Sequence, residues 1–157
     1  MKKKTVIKSS LLYGSKEEIF NRLLEVETLQ YIATPFARFI SLDNDRKPKW
    51  QAGSTFSFYF YLFGFLPFGV HTIRVLSCDI DTGISTREHN RHVPVWNHRI
   101  YLQYVDDKTT RYTDEVEIEA GFKTPLVALW AKAFYTHRQR KWHNLLSTET
   151  RDWKTIV

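Results

Sequence analysis

Two stretches decide the architecture: Val95-Trp96-Asn97-His98-Arg99-Ile100-Tyr101-Leu102-Gln103-Tyr104 and, after a short break, Thr110-Arg111-Tyr112-Thr113-Asp114-Glu115-Val116-Glu117-Ile118. Side chains on a strand alternate between its two faces, so Trp96, His98, Ile100 and Leu102 share one face of the first stretch. Tyr112, Asp114, Val116 and Ile118 share one face of the second. The break from Val105 to Thr109 is too short for a parallel crossover, so the two stretches pair antiparallel. Both apolar faces then look the same way, toward whatever covers the sheet.

Working upstream, the same extended punctuation continues. Strand-like runs cover Phe39 to Leu42, Ser54 to Leu62, Val70 to Cys78 and Ile84 to His89, with breaks at 43–53, 63–69, 79–83 and 90–94 that are rich in Gly, Pro, Asp or Asn. Thr5 to Leu12 reads as a first strand. Between it and the rest, Ser15-Lys16-Glu17-Glu18 has the form of a capping box, and Ile19, Phe20, Leu23 and Leu24 keep the spacing of one buried helical stripe. A second short helix around Thr28 to Ile32 stops before Thr34-Pro35, because proline disfavours a helical residue in front of it.

Downstream, Thr124-Pro125 predicts an N-cap with proline at the first helical position, opening a long helix to about Ser147. Leu126, Leu129, Trp130, Ala133, Phe134, Trp142, Leu145 and Leu146 form its apolar stripe, and such a helix must cover something. The reading is an α+β fold: a curved antiparallel sheet of about seven strands wrapped around a long C-terminal helix, with two short helices after the first strand. At 157 residues with 43% hydrophobic content, one domain over residues 1–157 is expected.

Composition excludes several classes. Only 6 Gly and 5 Pro, with 25% charged residues and no repetitive block, argue against disordered or collagenous chains. The single cysteine, Cys78, precludes an internal disulfide and a thiolate metal cage, and reads as a small half-buried residue at a strand end. The stretch from Phe56 to Val70 is too interrupted to span a membrane, and no secretory leader is evident, so a cytoplasmic location is expected. A formal charge of +6 raises the question of nucleic acid. Its basic residues fall in three separated clusters, at Lys2–Lys4, Arg46–Lys49 and Arg138–Lys141, without a recognition motif, which argues against a nucleic-acid partner.

The opening Thr5-Val6-Ile7-Lys8, leading to Gly14-Ser15-Lys16-Glu17-Glu18-Ile19-Phe20, resembles the first strand and helix of the START/Bet v 1-like (SRPBCC) superfamily. Trp96-Asn97-His98-Arg99-Ile100 followed by Thr110 to Ile118 resembles a strand pair of the same superfamily. Where its pattern often has Pro-x-Gly, this chain has Glu119-Ala120-Gly121. The resemblance implies a helix-grip fold with a cavity between sheet and helix that holds an apolar or amphipathic small molecule, lipid, polyketide or quinone-like. No cofactor is expected. Members range from carriers to cyclases, so the fold alone does not settle the activity.

Within such a cavity, alternation places His98 and Asp114 on one face, with Glu88 and His71 contributed by the preceding strands. A buried carboxylate beside a histidine makes both tolerable, and a structural pair is the plain reading. The sharper one is proton transfer by His98, oriented by Asp114 or Glu88, as in a polyketide cyclase or dehydratase. These four side chains also contain metal-ligand atom types but no ligand spacing motif, and no metal is expected. His89 and His92 read as solvated loop residues. The expected ligand-binding residues are Phe58, Phe60, His71, Ile73, Trp96, Ile100, Tyr112, Val116, Trp130, Phe134 and Arg138. Arg138 either holds an anionic head group or stacks at the rim beside Trp142 with its head in water. Phe63 to Phe68 is an unusually greasy segment, expected as a mobile lid, a point of transient membrane contact or a hairpin tip against the long helix. A last reading is an interaction module meeting RNA, a ribosome or a membrane surface.

Overall fold

The computed structural model describes residues 2–42 and 50–147. Chain order is β1 (Lys4–Tyr13), α1 (Lys16–Leu23), α2 (Val26–Ala33), β2 (Ala37–Ser41), β3 (Thr55–Leu62), β4 (Leu66–Asp79), β5 (Gly83–His89), β6 (Val95–Asp106), β7 (Thr109–Glu119) and α3 (Thr124–Ser147), the last preceded by a single 3-10 turn. The strands form one antiparallel sheet in the order β1-β7-β6-β5-β4-β3-β2. Register shifts between Tyr59 and Tyr61, Val75 and Ser77, and Tyr104 and Asp106 add local twist, which helps curl the sheet around its inner face. At Gly83, φ is +88° and an added Cβ would sit 2.0 Å from the Ile100 carbonyl oxygen, so only glycine lets β5 start this close to β6.

The Ser15 hydroxyl caps α1 by accepting from the Glu18 amide at 3.1 Å, while the Glu18 carboxylate lies 3.6 Å from Arg22. Thr124 departs from expectation. It is already helical, and its hydroxyl accepts from the Ala120 amide and donates to the Gly121 carbonyl, tying the 3-10 turn to the helix rather than capping an amide inside it.

Helix α3 lies along β1 and β7, at one end of the sheet. Its buried stripe runs Thr124, Ala128, Ala131, Phe134, Tyr135, Arg138, Gln139, Trp142, Leu145 and Leu146. Leu126 and Leu129, expected in that stripe, are exposed, because small Ala128 and Ala131 make the close contact with the sheet and turn those leucines away. Gln139 fastens the packing: its Nε2 donates to the Lys8 carbonyl of β1 at 2.8 Å and to Asp114 Oδ2 of β7 at 3.1 Å, and Ser10 donates to its Oε1. Trp142, fully buried against Tyr112, contributes the largest single side chain to this contact, and truncating it to Ala would cost about 3–5 kcal/mol.

The segment 63–69 is a hairpin turn running into a strand. β4 begins at Leu66, so Phe63, Gly64 and Phe65 form a tight hairpin turn with Phe63 at φ +55° and Gly64 at +83°. The Phe63 amide donates to the Phe36 carbonyl, and the Phe36 ring packs on His137 and Phe134 of α3. The hairpin tip is therefore tied to the long helix through Phe36.

A candidate ligand cavity with a polar wall

Because α3 covers one end of the sheet, the inner faces of β3 to β6 remain free to enclose a space. A cavity of about 530 Å³ lies there. The sheet contributes Phe60, His71, Ile73, Ile84, Thr86, Glu88, Trp96, His98 and Ile100 to its wall; α3 contributes Val127, Trp130, Phe134, Tyr135 and Arg138; and α2 closes the far side with Thr28, Leu29 and Ile32. Trp130 stacks on Phe134 at 4.8 Å and stands edge-on to Trp96, making one aromatic wall.

Three expected lining residues lie elsewhere. Val116 and Tyr112 face inward on β7 but sit directly beneath α3, so the helix seals them into the core. Phe58 is likewise fully buried, edge-on to Phe39 and clustered with Trp50 and Phe56. Asp114 is behind the wall rather than in it. Residues that alternation did not single out take part instead: Tyr135, Trp50, Asn90 and His92. Tyr135 was legible as the neighbour of Phe134 on a two-residue-wide stripe. His92 carried no such signal, and it is half-buried rather than a free loop residue, its ring packing 4.2 Å from Phe68 at the cavity edge.

The polar wall is a row of polar side chains crossing four strands, hydrogen-bonded except for one gap between Glu88 and His98. Asn90 Nδ2 meets His71 Nδ1 at 3.2 Å, His71 Nε2 meets Glu88 Oε2 at 2.7 Å, and Thr86 donates to Glu88 Oε1 at 2.6 Å. His98 Nδ1 stands 3.9 Å from Glu88 Oε1, and its Nε2 meets Asp114 Oδ1 at 2.8 Å. Behind it the Tyr112 hydroxyl donates to Asp114 Oδ1, and Arg138 Nη2 donates to the Tyr112 hydroxyl and lies 3.7 Å from the same carboxylate oxygen. Trp96 Nε1 donates to the Tyr135 hydroxyl at 3.1 Å.

Burial pushes both carboxyls upward, yet each stays below its ordinary range. For Glu88 burial is the largest single influence, and the hydrogen bond from His71 together with His98 and Thr86 outweighs it. For Asp114 burial is the largest single influence, and the Arg138 guanidinium, His98 and Gln139 outweigh it only together. Burial raises the Tyr112 and Tyr135 phenols, which stay protonated. Burial alone would lower Arg138, but Tyr112 and Asp114 more than compensate and keep it charged. Arg138 is 4% exposed, with its guanidinium 5.4 Å from the Tyr135 ring centre. The rim position with a head in water is therefore excluded, and the basic cluster at 138–141 loses its first charge to the interior. The cluster at 46–49 lies outside the described residues.

The four acid and imidazole groups are strung in a line rather than gathered around a centre, and among the described residues no three such side chains are arranged to hold a metal ion. Cys78 is half-buried with Sγ 3.7 Å from the Trp50 carbonyl oxygen, and burial pushes its thiol up.

Seven antiparallel strands curled about a long C-terminal helix define the helix-grip class, and the chain has the START/Bet v 1-like fold. It is similar to a START superfamily protein from Mycobacterium smegmatis, with a TM-score of 0.69 at 16% identity over 93% of this chain and 99% of that one. A protein from Mesorhizobium loti gives 0.72 at 16% identity, over 94% and 100%. Ara h 8.0201 gives 0.67 at 10% identity, over 94% and 100%. No curated protein matches the sequence. Within this class the chain belongs to the family described as domain of unknown function DUF8410, whose model matches residues 11–146.

Proposed function

We propose that this protein binds one apolar or amphipathic small molecule, of lipid, polyketide or quinone type, between the sheet and α3. The observation that carries the reading is the cavity itself: about 530 Å³, walled by aromatic and aliphatic side chains with one polar side, the form and size usual for small-molecule sites. Native mass spectrometry of the purified chain, followed by solvent extraction, tests it. A co-purifying apolar molecule, or saturable one-to-one binding of the neutral dye Nile red, supports the reading. Absence of both would remove it.

The 2.8 Å contact between His98 and Asp114 favours a second reading, acid–base chemistry on the bound molecule in the manner of a cyclase or dehydratase. Recovery of the extracted ligand unchanged after long incubation with excess protein would argue against it. Contact of the basic surface with RNA, a ribosome or a membrane has less to support it, since Arg138 is spent inside the fold. In this reading the chain is one cytoplasmic ligand-binding domain over residues 1–157. Among the described residues no helix is long and apolar enough to cross a membrane.

A further inference from the structure

The hydrogen-bond string assigns its own protons. An ionised carboxylate only accepts, so His71 Nε2 and His98 Nε2, each less than 3 Å from a carboxylate oxygen, both carry hydrogen. On His71 the other nitrogen accepts from Asn90, which leaves that ring saturated. His98 differs. Its Nδ1 stands 3.9 Å from Glu88 Oε1, beyond hydrogen-bond reach, and both residues line the cavity. Glu88 Oε1 itself takes a short bond from Thr86 and has a further lone pair.

An oxygen atom placed about 2.8 Å from each of these two positions fits the gap between them. A hydroxyl satisfies both when His98 Nδ1 carries hydrogen: it accepts from that N–H and donates its own hydrogen to Glu88. A carboxylate cannot. Wherever it meets His98 Nδ1 it lies beside ionised Glu88, and a second carboxylate, Asp114, stands behind the ring. The cation that would compensate, Arg138, is already engaged by Tyr112 and Asp114.

We infer that the cavity selects an apolar molecule ending in a neutral hydroxyl, an alcohol or a phenol, seated between His98 Nδ1 and Glu88 Oε1, over the corresponding carboxylate or ether. The inference rests on the cavity being a binding site, and it names the ligand class for it. An apolar cavity with no such recognition would favour an ether over an alcohol of equal chain length, because the hydroxyl pays desolvation without return.

Displacement of Nile red from the wild-type chain by decan-1-ol, 1-methoxydecane and decanoate is the test. Decan-1-ol is expected to displace the dye at roughly tenfold lower concentration than either, about the discrimination one satisfied polar contact supplies. The ¹⁵N resonance of His98 Nδ1 should shift on adding decan-1-ol and stay in place with 1-methoxydecane. Equal or better displacement by the ether, an unmoved His98 signal, or preference for decanoate overturns the hydroxyl assignment while leaving the cavity a binding site. If neither the dye nor any of the three compounds binds, the cavity reading fails and the assignment with it.

Discussion

His98 Nε2 and Asp114 Oδ1 lie 2.8 Å apart although neither residue is the other's ladder partner: His98 is opposite Val116, and Asp114 is opposite Ile100. The contact is diagonal across the β6–β7 pair, within the reach of long side chains on the same face. It leaves Asp114 with four neighbours of donor character, His98, Tyr112, Gln139 and Arg138. That single carboxylate joins the cavity wall on β6 to the helix that seals β7.

Asp114→Ala should destabilise the fold by about 3 kcal/mol, because it leaves the Arg138 charge buried without its partner. Urea unfolding followed by circular dichroism measures it. Arg138→Leu should cost a similar amount, and the double variant clearly less than the sum of the two, since it removes both charges together. Additive losses would mean that the two side chains act separately.

Stability should fall on the acid side. Glu88 and Asp114 both have lowered values in the folded chain, so each contributes stability that is fully present above the ordinary carboxylate range of about 4 and is lost as the pH falls through it toward the lowered folded value. Urea midpoints measured from pH 7 down to pH 3 should drop steeply below about pH 4.5. The Asp114→Ala variant should show a shallower decline.

Val127→Trp places a large ring on the helix side of the cavity. Nile red affinity is expected to fall by roughly tenfold or more, with a stability change within the 1–3 kcal/mol usual for overpacking. Unchanged dye binding would place the probe outside the cavity.

Phe63 is the one described non-glycine residue with positive φ, a conformation that costs an ordinary side chain about 1–2 kcal/mol, and its ring lines the cavity. Phe63→Gly should keep or raise the melting temperature while speeding dye release, measured by stopped-flow. Phe65 is more exposed, and neither it nor Leu66 lines the cavity, so Phe65→Ser should leave release unchanged.

Strand alternation was enough to place His71, Glu88, His98 and Asp114 on one face, because a period of two is a local property of extended backbone. It was equally enough for Phe60, Ile73, Trp96 and Ile100. The helix stripe was harder. Leu126 and Leu129 look as apolar as Leu145 and Leu146, and only the close approach of Ala128 and Ala131 to the sheet shows which pair is buried.

Periodicity, turn residues and capping signals therefore determined the elements, their order and which side chains face inward, since all of these depend on neighbours in the chain. Where α3 lies across the sheet was decided only by tertiary packing. That placement buries Val116 and Tyr112, turns Arg138 into the interior beside Asp114, and leaves the β3 to β6 face open as a cavity. The physical reason is that a curved sheet offers its whole inner face to a helix, and the choice among positions rests on contacts such as those of Gln139 with Lys8 and Asp114, which join residues more than twenty and more than a hundred positions apart. No local pattern records a contact of that span.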